Sequence, residues 1–178
     1  MIEALAPYAE RGVPIIGLEP SCLLTLRDEY LDLLPHDPRA RLVADHTLLI
    51  EEFLSLQAEQ GKLNIAWKNE KKKVMVHGHC YQKALTGTDA LLTLLRLPGW
   101  EVAEIDSGCC GMAGSFGYEA EHYDLSLKIG EDRLFPAVRA ASLDARLAAS
   151  GMSCRHQIEH GTGRIAKHPI VLLADALP

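Results

Sequence analysis

The sequence predicts an α/β fold: a mainly parallel, Rossmann-like sheet of about four strands, with helices on both faces. Three observations carry that expectation. Short apolar runs alternate with amphipathic stretches of helical period. Four segments repeat one order of apolar run, glycine or proline loop, cysteine and helix: Ile15 to Cys22, Val74 to Cys80, Val102 to Cys110, and Leu147 to Cys154. The third segment ends in an adjacent cysteine pair among glycines, Ser107-Gly108-Cys109-Cys110-Gly111-Met112-Ala113-Gly114-Ser115-Phe116-Gly117. Sites in parallel sheets lie beyond the carboxyl ends of the strands. The template is therefore expected to bring Cys22, Cys80, Cys109, Cys110 and Cys154 to one sheet edge. Each would lie near a helix N-terminus, where the dipole favours thiolate.

In chain order, residues 1–12 read as a helix with Leu5, Tyr8 and Ala9 at helical spacing. Val13 to Leu18 is a short strand run, ending in Glu19-Pro20-Ser21-Cys22. Leu23 to Leu34 reads as helix, broken by Pro35 and Pro38. Residues 39–60 read as one helix, with Leu42, Leu49, Phe53 and Leu56 on a common face and Gly61 behind its end. Leu63 to Trp67 is a candidate strand. Val74 to His77 is a strand leading through Gly78-His79-Cys80 to a helix with Ala84, Leu91 and Leu95 on one face, stopped at Pro98-Gly99. Trp100 to Asp106 is the strand before the double-cysteine loop. Helices are expected from Glu119 to Lys128 and from Pro136 to Ala141. Ala145 to Ala149 keeps helical spacing with Leu134, Val138 and Ala141, but the repeated template reads it as a strand. His168 to Leu177 closes the chain as a helix.

Composition bounds the rest. In 178 residues, 48% are hydrophobic and 24% charged, enough for a sizeable core without disulfides. The net charge of −6 argues against nucleic acid as a partner. The one basic run, Lys71-Lys72-Lys73, reads as a solvated turn. No apolar run is long enough to span a membrane, and no signal peptide is visible at Met1. Five cysteines without a secretion signal favour thiolate ligands or free thiols over a disulfide framework, and a cytoplasmic location.

Sulfur ligands select zinc, copper(I) or iron–sulfur clusters. Zinc sites usually show paired C-x₂-C knuckles, which are absent here. Single cysteines from several strands, plus an adjacent pair, suit a cluster of the four-thiolate kind better. Gly108 and Gly111 allow backbone N–H groups to approach an anion. His77 and His79 flank the loop before Cys80, and His156 and His160 follow Cys154; each is a candidate ligand or a hydrogen-bond donor to sulfur. Gly161-Thr162-Gly163-Arg164 has the look of an anion-binding loop, though a turn leading into a helix is the commoner meaning. Two other readings stay open: a metal-free or zinc-bound docking domain, and a thiol enzyme using Cys110 or Cys154 with a histidine base.

Glu19-Pro20-Ser21-Cys22, His77-Gly78-His79-Cys80, Ser107-Gly108-Cys109-Cys110-Gly111-Met112 and Gly151-Met152-Ser153-Cys154-Arg155-His156-Gln157-Ile158 together resemble the cysteine-rich CCG domain family. That family includes iron–sulfur regions of FAD-linked D-lactate and glycolate dehydrogenase-type oxidases, the glycolate oxidase iron–sulfur subunit and the heterodisulfide reductase B subunit. The resemblance implies a [4Fe-4S]-type cluster on Cys80, Cys109, Cys110 and Cys154, with Cys22 as a further ligand candidate. It implies FAD on a domain not present here, oxidation there of a 2-hydroxy acid, and electron transfer to a quinone or other acceptor. It also implies a C-terminal piece of a longer protein: residues 1–61 as the remnant of a first repeat with connecting helices, 62–178 as the second repeat. Such a piece alone would not be catalytically complete. It would meet the membrane only through partners, and an apolar face around residues 1–20 would be exposed or covered by a second copy. The fullest family pattern ends in C-x-x-C; Gln157 stands where the last cysteine would be, which favours a four-cysteine site.

Overall fold

The computed structural model describes residues 1–178, which divide into two compact units, Met1–Leu63 and Asn64–Pro178. The α/β expectation holds, but the strands fall into two separate parallel sheets of two and four strands.

In the first unit, helix α1 (Ile2–Ala9) packs on α4 (Pro38–Asp45), and strand β1 (Ile15–Gly17) pairs in parallel with β2 (Thr47–Leu49). Between them lie α2 (Pro20–Leu23), a 3-10 turn at Leu24–Leu26 and α3 (Glu29–Leu33), so the expected helix from Leu23 to Leu34 is broken. The expected single helix over 39–60 is interrupted by β2, after which α5 (Ile50–Glu59) begins. Thr47-Leu48-Leu49-Ile50 is a continuous apolar and β-branched run, and pairing Ile15 with Thr47 and Gly17 with Leu49 satisfies its backbone as a strand. Tertiary pairing overrides local helical propensity there. The two Arg27–Glu52 hydrogen bonds, 3.0 and 2.9 Å, tie the segment before α3 to α5. Around β1, Tyr8, Val13, Ile16 and Leu18 are exposed.

The second unit has strands β3 (Lys73–His77), β4 (Glu101–Glu104), β5 (Arg146–Ala149) and β6 (Ala166–Lys167) in the order β4-β3-β5-β6, all parallel. Helices α6 (Cys80–Leu85) and α7 (Asp89–Arg96) join β3 to β4, and α8 (Tyr123–Asp132) and α9 (Leu134–Ala140) join β4 to β5. Helix α10 (Met152–Thr162) joins β5 to β6, and α11 (Pro169–Ala174) follows. The first connection runs one way along the sheet and the second runs back across β3. Right-handed crossovers then place the helices on opposite faces. The packing agrees: α7 meets α11, while α10 meets α8 and α9.

Burial follows strand position. The last three residues of central β5 are all buried, whereas β4 at the edge is mostly exposed. Leu91, Leu94 and Leu95 of α7 are at most 1% exposed, each worth about 1.5–3 kcal/mol of burial. On the α9 and α10 side, Leu134, Phe135, Val138, Leu147, Ala149 and Ile158 pack with Cys110 and Cys154 in one core.

Several expectations shift. The helix after Cys80 splits into α6 and α7 at Gly87, whose φ of 73° ends the first of them. Leu63 to Trp67 is not a strand. The third helix of this unit runs from Tyr123, later than Glu119, because residues 116–118 form a 3-10 turn. Arg146–Ala149 is a strand, as the template required, and β6 carries no signal long enough to read in sequence. Ile15–Gly17 pairs with β2, not with β3, β4 or β5, so the predicted sheet of four template strands is corrected: its fourth strand is β6.

Candidate metal centre

The order β4-β3-β5 reverses direction between β3 and β5, which makes the crevice beyond their carboxyl ends a topological switch point. The loop after β3 presents His79 and Cys80; the loop after β5 presents Gly151, ahead of Cys154 on the first turn of α10. The double-cysteine loop arrives beside them from the end of β4. Three of the four repeated segments therefore meet, and Cys80, Cys109, Cys110 and Cys154 form a connected chain of thiol contacts. Cys80 contacts Cys109, Cys109 contacts Cys110, and Cys110 contacts Cys154. Cys22 lies in the first unit, exposed, in α2 after β1.

Burial grades along that chain. Cys110 and Cys154 are 3% and 2% exposed, Cys109 is half-buried and Cys80 is exposed. His77 is buried and belongs to the group: one of its ring nitrogens and the sulfurs of Cys110 and Cys154 all lie within 4.8 Å of one another. Its Nδ1 shares a hydrogen bond with Ser107 Oγ at 2.8 Å, while Nε2 is buried without a hydrogen-bond partner. A buried polar atom left unpaired is costly, and ligation by a metal removes that cost. His79 caps α6 instead, its Nδ1 accepting from the Tyr81 N–H at 3.2 Å.

The sulfurs differ in proton affinity. Donation from Cys110, then Cys80, together with the Gly111 N–H at 3.3 Å, pulls the Cys109 thiol far below its ordinary value. Cys154 is lowered by Cys110 first, with His77 and His79 beside it. Cys80 and Cys110 are pushed up, chiefly because each donates to Cys109. The four thiols share their protons along this run of contacts, an arrangement suited to a soft cation that displaces them.

Glycines allow the close approach. Gly111 has φ 96°, and a Cβ there would lie 2.2 Å from Ser126 O. At Gly151 a Cβ would lie 2.5 Å from His79 Cδ2 and 3.1 Å from Cys154 Sγ. Gly108 is different: only Arg133 Nη2, 4.0 Å away, lies near its missing Cβ. A recess of about 310 Å³ opens there, lined by Gly108, Cys109, Lys128, Ile129, Asp132, Arg133 and Leu134.

Other candidates go elsewhere. His156 and His160 are exposed on α10 and engage Tyr118, with His156 Nδ1 3.4 Å from its hydroxyl. Gln157 is buried and donates to Ser126 O and Oγ at 3.3 and 2.9 Å. Gly163 ends α10 with φ 71°, and Arg164 donates to the carbonyls of Val138, Ala141, Ser142 and Ala145. The Gly161–Arg164 segment is therefore a helix exit whose arginine caps α9, and its cation is already occupied. Cys110 and Cys154, the nucleophiles of the thiol-enzyme reading, are too buried to meet a substrate. Lys83 has no motif signal, yet its Nζ donates to Ser107 O and, at 3.3 Å, to Gly108 O.

This chain is similar to dehydrogenase proteins. It is 35% identical over 168 residues to the C subunit of the anaerobic glycerol-3-phosphate dehydrogenase of Escherichia coli (strain K12), an alignment covering 94% of this chain and 41% of that protein. It is 30% identical over 171 residues to the D-2-hydroxyglutarate dehydrogenase of the same strain, covering 95% of this chain and 16% of the relative. The corresponding protein of Pantoea ananatis is 29% identical over 175 residues, covering 95% of this chain and 16% of the relative. The chain thus spans well under half the length of these curated relatives. No family model matches it. No helix is long and apolar enough to cross a membrane.

Proposed function

We propose that this chain is an iron–sulfur electron-transfer domain of the CCG kind, with Cys80, Cys109, Cys110 and Cys154 holding a [4Fe-4S]-type cluster. The observation that carries this is the run of four thiols at the switch point, each in contact with the next from Cys80 through Cys109 and Cys110 to Cys154. The donor set is soft and sulfur-rich, which suits iron–sulfur ligation. Bound there, the cluster supplies reversible one-electron storage. The residues do the rest. The core around Leu134, Phe135 and Ile158 keeps water from the Cys110 and Cys154 side, while Cys80 and Cys109 form the accessible edge.

The electron donor in this reading is an FAD-bearing dehydrogenase domain or subunit that oxidises a 2-hydroxy acid, and the acceptor is a quinone or similar carrier. Relatives named for the dehydrogenation of D-2-hydroxyglutarate and of glycerol 3-phosphate support a dehydrogenase assembly. The location is the cytoplasm, with any membrane contact made through partners. The test is anaerobic reconstitution with iron and sulfide, followed by visible and electron paramagnetic resonance spectra and by iron, sulfide and zinc analysis. Stoichiometric iron and sulfide are expected; stoichiometric zinc without sulfide overturns the reading.

One observation favours a second reading. His77, Cys110 and Cys154 alone are close enough to hold a single ion. A zinc-type site there would make this a docking domain for the flavin subunit.

A further inference from the structure

We infer that Lys83 is a positioning residue that straps the double-cysteine loop to the helix bearing Cys80, so that Cys80 and Cys109 are assembled before any metal arrives. The inference rests on the four-cysteine site proposed above but concerns the metal-free protein. Lys83 follows Cys80 by three residues on α6, so both project from the same face of one helical turn. Its ammonium is committed to the carbonyls of Ser107 and Gly108, the two residues before Cys109. Both residues lie outside any strand or helix, and besides the Lys83 bonds the loop is anchored here by the Ser107 hydroxyl on His77 of β3. A charge-assisted bond to each is worth more than a neutral one.

The surroundings are shaped for this stem. A Cβ at Gly78 would lie 3.2 Å from Lys83 Cδ, 2.6 Å from Thr88 Cγ2 and 2.8 Å from Glu104 Oε1. Glycine at 78 therefore leaves the channel along which the lysine stem runs. Thr88 Oγ1 donates to Glu104 Oε2 at 2.8 Å and fixes the far wall. A lysine lying in a fitted channel and ending on two loop carbonyls is a strap, not a solvated surface charge. It also places a positive charge beside the ligand loop, and charge near a cluster tunes its reduction potential.

The experiment compares wild type, Lys83→Gln and Lys83→Arg as reduced, metal-free proteins. Iodoacetamide alkylation is followed cysteine by cysteine by peptide mass spectrometry. Lys83→Gln should speed modification of Cys109 about fivefold or more while Cys110 and Cys154 stay slow, and Lys83→Arg should restore protection. A general loss of fold would instead release Cys110 and Cys154 together with Cys109; rescue by Lys83→Arg then decides, since arginine keeps the charge and the donors. Equal Cys109 rates in all three proteins overturn the strap, as does Lys83→Arg behaving like Lys83→Gln. In reconstituted protein, Lys83→Gln should also lower the midpoint potential and Lys83→Arg should not. If wild type takes up no iron, the cluster reading fails, and the alkylation rates still decide whether Lys83 holds the loop.

Discussion

His77 and Ser107 are joined by a 2.8 Å hydrogen bond that ties the last residue of β3 to the residue opening the double-cysteine loop. The bond occupies Nδ1 and leaves Nε2, the other ring nitrogen, buried without a hydrogen-bond partner. Replacing His77 with Ala removes this bond and leaves the Ser107 hydroxyl with one partner fewer, a loss of roughly 1–3 kcal/mol in urea unfolding of the metal-free protein. The same variant separates the two metal readings. A four-thiolate cluster should survive it with most of its iron, whereas a single ion on His77, Cys110 and Cys154 should lose affinity by about tenfold or more in a zinc or cobalt titration.

Cys109 and Cys22 give the sharpest contrast in ligand assignment. Cys109 sits inside the chain of contacting thiols; Cys22 is exposed in the other unit. Cys109→Ser should lose most of its iron and sulfide after anaerobic reconstitution, because a hydroxyl is a poor soft-metal ligand. Cys22→Ser should load like wild type. Equal loading of all three proteins would show that Cys109 is not a ligand.

Gly151 tests the geometry of the crevice. Valine there would drive side-chain atoms into His79 and Cys154, and overpacking of this kind costs about 1–3 kcal/mol. The chain can relieve the clash only by moving the cysteine or the histidine. Gly151→Val should therefore lower the urea midpoint and, at equal folded fraction, weaken cobalt(II) thiolate absorption. Unaltered cobalt binding would place Cys154 outside the site.

Gln157 should behave in the opposite way. Its amide serves Ser126 O and Oγ across the α8–α10 contact, so Gln157→Ala strips buried groups of a donor. A destabilisation of roughly 1–3 kcal/mol is expected from denaturant titration, with iron content per folded molecule unchanged.

Much of the fold is legible in the chain itself. The recurrence of apolar run, loop, cysteine and helix follows from physics that acts within a few residues: strands need extended apolar runs, and helices begin after glycine or proline turns. For Val74 to Cys80, Val102 to Cys110 and Leu147 to Cys154, that local grammar suffices to predict three parallel strands and the edge on which their cysteines gather. Even Arg146–Ala149, whose spacing also suits a helix, is the strand that the repetition requires.

Local grammar has no access to partners distant in sequence. Thr47–Leu49 is a strand because Ile15–Gly17 offers it backbone hydrogen bonds, and β6 is a two-residue strand that exists only because β5 lies beside it. The repeated template alone does not separate the Cys22 segment from the other three, since sheet membership is decided by pairing and not by motif; only the resemblance to a two-repeat family sets residues 1–61 apart. Nor does the template tell His77, folded in among the sulfurs, from His156 and His160, turned out toward Tyr118. Lys83 is silent in sequence for the same reason: a lysine acquires its role from the two carbonyls the fold sets within its reach, 24 and 25 residues further along the chain. Residue type and spacing determined which chemistry was available; packing over long separations decided which of those groups would meet.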